Sequence, residues 1–352
     1  MKALIWLVSC LMLGAGVAFG QPADSMPIDT SLAIAPPPEA PSVPGLLNKS
    51  RSRGIDLSFN FINGGVMHPP GGGPEALRSQ LHALQSMTLK LKVPLVLTPG
   101  FKLLLGYTYR PEKYFYTESG LAERPSLISP DVRYVFQQMD NRLLKQNSYN
   151  LYGMKPFKNR RYFAFRMSLA FSGDYAGWMT LDSRYAIFRT SLTYGIRKHR
   201  DLEYGFGLAF SHSFRRTIAL PFFLFFHNFN AHWGMESVFP LYINGRYNLD
   251  PKTIFLFGAR AAGGNYSIDL RDQLTGQTHV YHLNHDELRL GVSLERQIVP
   301  WVWLNIRAGF QFSLPTRFRP AEDGLPSYSA VPGSTPYLST GLFISPPSDL
   351  RR

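Results

Sequence analysis

From residue 54 onward, apolar side chains recur at every second position, and a chain with that period must fold as strands. Between Arg161 and Ser172, Phe163, Phe165, Met167, Leu169 and Phe171 share one face. Tyr162, Ala164, Arg166, Ser168 and Ala170 share the other. A helix would scatter these apolar residues around its axis. The same alternation sets Leu89, Leu91 and Val93 against Thr88, Lys90 and Lys92, and Tyr204, Phe206 and Leu208 against Glu203, Gly205 and Gly207. It recurs with Leu288, Leu290 and Val292 against Glu287, Arg289 and Ser293, and with Leu304, Ile306 and Phe310 against Asn305, Arg307 and Gln311. The pattern predicts strands near 54–62, 86–98, 101–110, 144–154, 160–172, 184–197, 202–213, 236–248, 252–264, 278–296, 300–314 and 336–345.

Alternation alone does not say whether the apolar face meets a core or a membrane. Three features point to a membrane. The predicted strands run about 10 to 13 residues, against about 5 to 6 in globular proteins and about 9 to 11 for a tilted membrane strand. Aromatics sit near strand ends, at Tyr162, Tyr185, Trp301 and Trp303. The start of the chain reads as an export signal. Charged residues are 17% of the chain and aromatics 14%; a typical soluble domain carries about 25% charge. Short links (such as 98–100, 198–201 and 297–300) alternate with long ones (63–85, 111–143, 173–183, 214–235, 269–277 and 315–335). That is the signature of an all-β, transmembrane antiparallel up-and-down β-barrel of about twelve strands, with both termini on the periplasmic side. Ile218 to Phe226 is apolar on both faces. It reads as a loop at the barrel mouth or, with a further neighbour, as a strand of a fourteen-stranded wall.

Met1-Lys2, the apolar run Ala3 to Phe19 and the small residues Ala18 and Gly20 predict a signal peptide over 1–20, cleaved after Gly20. A membrane anchor and lipoprotein processing at Leu7-Val8-Ser9-Cys10 are the alternatives. The prolines of 21–50 suit an extended periplasmic tail. The barrel is assigned to 51–347 and a short C-terminal tail to 348–352. The lone cysteine, Cys10, lies in the leader, so the exported chain has no thiol for a disulfide or a metal. The net charge of +13 is read as cations lining a lumen or facing anionic lipid, not as a nucleic-acid surface.

The polar face predicts the lumen lining. It contains Asp56, Lys90, Lys92, Lys102, Arg166, Arg189, Arg197, Glu203, Glu236, Arg246, Glu287, Arg289, Glu295 and Arg307. Charges there must be paired or hydrated, so the set is either a bracing network or a cation-lined path for anionic solutes. No catalytic, cofactor or metal site is expected. Outer-membrane phospholipases need His and Ser two apart on one strand face, whereas Ser211-His212-Ser213 sends His to the opposite side. His279, Tyr281, His285 and Glu287 share one face, and are read as a polar cluster at a loop base. Gly71-Gly72-Gly73 is not followed by the Lys-Ser/Thr of a phosphate loop.

The stretch Trp233-Gly234-Met235-Glu236-Ser237-Val238-Phe239-Pro240, then Arg246-Tyr247-Asn248, resembles a piece of an outer-membrane β-barrel family of Gram-negative bacteria. Leu95 to Tyr109 is similar too. The resemblance covers roughly 50–345 and implies a barrel in the outer membrane without an assigned activity. Three functions stand as expectations: a porin-like channel or transporter for small solutes, anions among them; a structural barrel binding lipid or a partner protein; and, last, a lipid-modifying enzyme. A soluble periplasmic β-protein is a fourth.

Overall fold

A computed structural model describes residues 52–68, 79–118, 130–214, 216–272 and 275–345. The leader, the proline-rich tail, the C-terminal tail and Gly71-Gly72-Gly73 lie outside the described residues. The strands are β1 (Ile55–His68), β2 (Ser79–Thr98), β3 (Phe101–Glu118), β4 (Leu143–Pro156), β5 (Arg161–Gly173), β6 (Ala186–His199), β7 (Leu202–Ser213) and β8 (Arg216–Asn228). They continue with β9 (Trp233–Phe239), β10 (Tyr242–Asp250), β11 (Thr253–Arg271), β12 (Thr278–Val299), β13 (Val302–Ser313), β14 (Thr316–Pro320), β15 (Tyr328–Pro332) and β16 (Thr335–Ile344). A helix, α1 (Pro130–Met139), lies between β3 and β4.

Consecutive strands pair antiparallel from β1 to β13, β13 pairs with β16, and β16 closes onto β1. This is a closed barrel of fourteen strands, two more than the alternation predicts. The difference is local. Ile218 to Phe226 is strand β8, not a loop, and the run predicted at 236–248 is a hairpin, β9–β10, turned at Pro240-Leu241. β8 is apolar on both faces because its inward Phe222, Leu224 and Phe226 are buried as a small core of their own.

β14 and β15 add no member to the ring. Thr316 opposite Ala330 continues the pairing of Gln311 with Thr335. Met67 opposite Pro332 continues that of Ile62 with Tyr337. Only along β12 does the register slip by one residue, a bulge at Leu314-Pro315. β13–β14 and β15–β16 therefore form one long interrupted hairpin that carries the wall to its far rim.

All the turns at the end holding Ile55 and Ile344 are short; the longer connections lie at the far end. Outward side chains form an apolar band: Phe206, Leu208, Val292 and Phe310 are each more than half exposed. Such a surface is stable against hydrocarbon and costly against water. Of the four aromatics predicted at strand ends, only Trp301 is exposed. Tyr162, Tyr185 and Trp303 are buried; Tyr162 gives its hydroxyl proton to Glu203, 2.6 Å away.

The far half of the β11–β12 pair breaks the expected polar-inside rule. β10 ends beside Arg260, so β11 beyond Ala261 has no β10 partner. There β11 turns inward. Gly263 sits at φ +139°, where a Cβ would run into the His285 carbonyl, a conformation open to glycine. Tyr266, Ile268 and Leu270 then pack with Tyr281 and Leu283 of β12 and with Val135 and Met139 of α1. Ile62, Leu84, Tyr114, Leu144 and Phe318 complete the core from the surrounding wall. An apolar core thus occupies much of the far end, and each fully buried aliphatic or aromatic side chain contributes about 1.5–3 kcal/mol.

Most groups on the free edge of β11 are answered. Ala261 N–H donates to Leu241 O, so alternation puts the odd-numbered amides and carbonyls on that edge. Arg110 donates to Gly263 O (3.2 Å) and Ser172 Oγ to Asn265 O (2.6 Å). Ser267 bridges in parallel to Gly173 of β5. Asp269 N–H donates to Asp174 Oδ2 (3.0 Å), and its carbonyl accepts from Arg142 (2.6 Å). Gln138 of α1 clasps Arg271, accepting from its N–H at 2.7 Å and donating to its carbonyl at 2.9 Å.

Candidate functional site

Below the plug the inward face is polar, and it encloses a cavity of about 860 Å³. Its walls carry Asp56, Lys90, Arg166, Arg189, Glu236, Arg289, Glu295 and Arg307 from the predicted lumen set. Lys92 points inward beside them, its ammonium 5.1 Å from the Tyr152 ring centre. Glu287 lies buried at the edge of the plug, bonded to Arg289 (2.9 Å) and Gln311 (2.9 Å). Glu203 and Arg246 are fully buried in local pairs rather than lining open space. Arg246 donates to Glu236 (2.8 Å) and Asn228 (2.5 Å). Lys102 and Arg197 are half-buried near the end that holds Ile55 and Ile344, away from the cavity wall.

The cavity also takes residues absent from the predicted set: Arg53, Arg110, Glu112 and Arg260. Arg53 precedes the first strand. Arg110 and Glu112 lie at and beyond a strand end that the alternation sets too early. Arg260 is legible, since it shares its strand face with the inward Leu256 and Gly258.

Most charges in the cavity are matched. Arg53 bridges Asp56 (2.9 Å) and Glu295 (2.6 Å) and stacks over Phe343. Arg110 pairs with Glu112, which also accepts from Tyr114 at 3.3 Å and lies 3.9 Å from His285. Arg289 pairs with Glu287. Lys90, Arg189, Arg260 and Arg307 have no ion pair among the described residues. Arg260 lies over the Tyr242 ring at 5.6 Å, and Arg166 bonds only the neutral Asn150, at 2.9 Å. Asp56 and Glu295, whose fields reach Lys90 and Arg307, are shared with Arg53, and cations outnumber acids along the cavity wall, so the lumen has a cation excess.

The histidines do not converge. His285 stacks on Tyr266 inside the plug, while His279 faces Glu322 at 3.6 Å. His212 bonds Thr217 across the β7–β8 turn. Among the described residues no group of three His, Cys, Asp or Glu is placed to hold a metal.

No family model matches the chain. No curated protein matches it either. Solved structures similar to it include the toluene transporter TodX of P. putida, 8% identical over 82% of this chain and 88% of that one, with TM-score 0.34. LpxR from Salmonella typhimurium is 12% identical, over 82% and 99%, with TM-score 0.31. A FadL homologue of Pseudomonas aeruginosa is 10% identical, over 83% and 90%, with TM-score 0.30. Likeness at that level leaves the barrel description to rest on this chain's own strand pairing.

Proposed function

We propose that this chain is an outer-membrane channel or transporter that admits small, mainly anionic solutes, with its lumen closed at the outer end by the β11–β12 hairpin. The export signal and the apolar outer band support an outer-membrane address. Short turns at the end that holds Ile55 and Ile344 support a periplasmic orientation for that end. The observation that carries the reading is an open, polar, cation-rich cavity inside a closed wall. A bracing lumen would be filled by paired side chains. The reading assigns no catalytic step.

Planar-bilayer recording tests it. The purified barrel is expected to show rare openings that favour anions in a salt gradient. A variant with the plug released is expected to conduct steadily. Silence from both would sink the channel reading. One observation favours the alternative of a barrel that binds lipid. The 174–182 loop folds over the outer face of β4, tied by Lys145 and Asn147, and leaves Trp178 and Leu181 65% and 71% exposed. Aromatic and aliphatic side chains so placed suit a membrane interface. Alanine at both positions should loosen lipid association and leave conductance unchanged.

A further inference from the structure

Cations brought together from separate strands in excess of their counter-charges are destabilised by mutual repulsion, and an anion relieves that cost. Lys90 of β2, Arg260 of β11 and Arg307 of β13 line the same cavity. Lys90 lies between the field of Asp56 and the opposing fields of Arg53 and Arg260, and Arg307 between that of Glu295 and those of Arg260 and Arg53. The nearby acids, Asp56 and Glu295, are both held by Arg53. Both guanidinium groups offer planar, multidentate donors suited to oxyanions. Hydroxyls on the same wall, Ser58, Thr88 and Ser339, add neutral donors. Elsewhere in the cavity each cation named with a carboxylate keeps it, so the deficit lies in this cluster and in Arg189 and Lys92 beside Arg166.

We infer that Lys90, Arg260 and Arg307 form a binding site for a small, multiply charged oxyanion, a free solute carrying phosphate or several carboxylates. This deepens the channel reading and, for its biological use, rests on it. The site binds the anion inside the wall, so conduction would be selective by occupancy rather than by pore width alone.

Calorimetric titration of the full chain in uncharged detergent, with pyrophosphate and with citrate, tests the site. Folding of every variant is checked by heat-modifiable gel mobility. Wild type should bind at least one of the two, more weakly as salt rises. Lys90→Gln, Arg260→Gln and Arg307→Gln should each weaken binding about tenfold, the size expected for losing one charge-assisted contact. The triple variant should show no binding, and Arg260→Lys with Arg307→Lys should retain part of it. Arg200→Gln, on the exposed β6–β7 turn, should change nothing. Absence of heat with both anions in folded wild type overturns the inference, as does unchanged binding in the folded triple variant. Dodecyl phosphate binding without pyrophosphate or citrate would also overturn it, pointing to a lipid headgroup instead. Binding without conductance would keep the site and sink the channel; conductance without binding would do the reverse.

Discussion

Two hairpins flank the longest strand pair of the wall, and each leaves it a neighbour too short. β11 and β12 run 19 and 22 residues. On one side β13 and β16 run 12 and 10, but the chain resumes as β14 and β15 in continuous pairing and the wall keeps its height. On the other side β9 and β10 run 7 and 9, and nothing resumes. There the far half of β11 swings inward, and Arg216 to Phe222 of β8 pairs only with β7. An exposed strand edge is costly and invites wrong pairing. β11 meets that cost by setting its edge against side chains of β3, β5 and α1 and against Arg142 and Asp174 at the adjoining strand ends. β8 meets it with proline. Asn228 N–H donates toward β7, so the odd-numbered amides face the open side, and Pro221 stands where a free donor would otherwise be. The same shortage of partners is thus solved once by extending the wall and once by making a plug.

The comparison breaks most sharply at the plug core. Ile268 is fully buried, and Ile268→Asp places an unpaired carboxylate among apolar side chains. The docked hairpin should lose about 4 kcal/mol or more. Amides 263–271 should lose hydrogen-exchange protection, while β14 and β15 keep theirs because their protection comes from the wall. Retained protection across β11 would show that its edge contacts, not the core, hold it. Gly263→Val should cost about 1–3 kcal/mol through backbone strain, again opening the plug. Gly324, at φ +92° in the β14–β15 turn, has nothing within 4 Å of the place a Cβ would take. Valine there should strain the turn and leave conductance as in wild type. Equal conductance changes from both glycines would erase the distinction between plug and wall.

Much of this is readable from the alternation, and the failures have physical causes. β7 matches its predicted limits, and β5, β12 and β16 lie within a few residues of theirs, because one face meets lipid and the other a polar space. The rule fails where neither condition holds. In β8 the inward Phe222, Leu224 and Phe226 bury one another, so the strand looks apolar throughout. Pro240, in the middle of a run predicted as one strand, is the available sign of a turn. In β11 the sequence from Asn265 to Leu270 still alternates, yet its apolar side meets a core inside the barrel. No local pattern distinguishes that from lipid. The cation cluster is half legible: Lys90, Arg260 and Arg307 follow from alternation, but the shortage of counter-charges is a property of the closed ring.

Smaller effects sharpen the account of the edge. Arg142→Ala removes the donor to Asp269 O and the 3.2 Å ion pair with Asp174. With a part-buried carbonyl left unanswered, docking should weaken by about 1.5 kcal/mol. Exchange should rise around Asp269 more than around Gly263, whose carbonyl keeps Arg110. A uniform rise along 263–271 would mean that the edge opens as one unit, and that its caps act together.

The smallest expected effect tests what holds the two sides of the short hairpin together. The β7–β8 turn touches β11–β12 through Phe214, stacked on His282 with ring centres 4.4 Å apart, and through a long 3.4 Å bond from Asn265 to Ser213. A cavity of about 420 Å³ lies beside these contacts. One aromatic contact at a rim contributes about 0.5–1 kcal/mol, so Phe214→Ala should speed exchange of the β11 amides only about two- to fivefold, with conductance unchanged. If it opened the barrel as fully as Ile268→Asp, the rim stack would be the latch and the buried core its passenger. The inward hairpin would then be held from the open side, and the contrast between a wall that is extended and one that is plugged would have to be rebuilt around that contact.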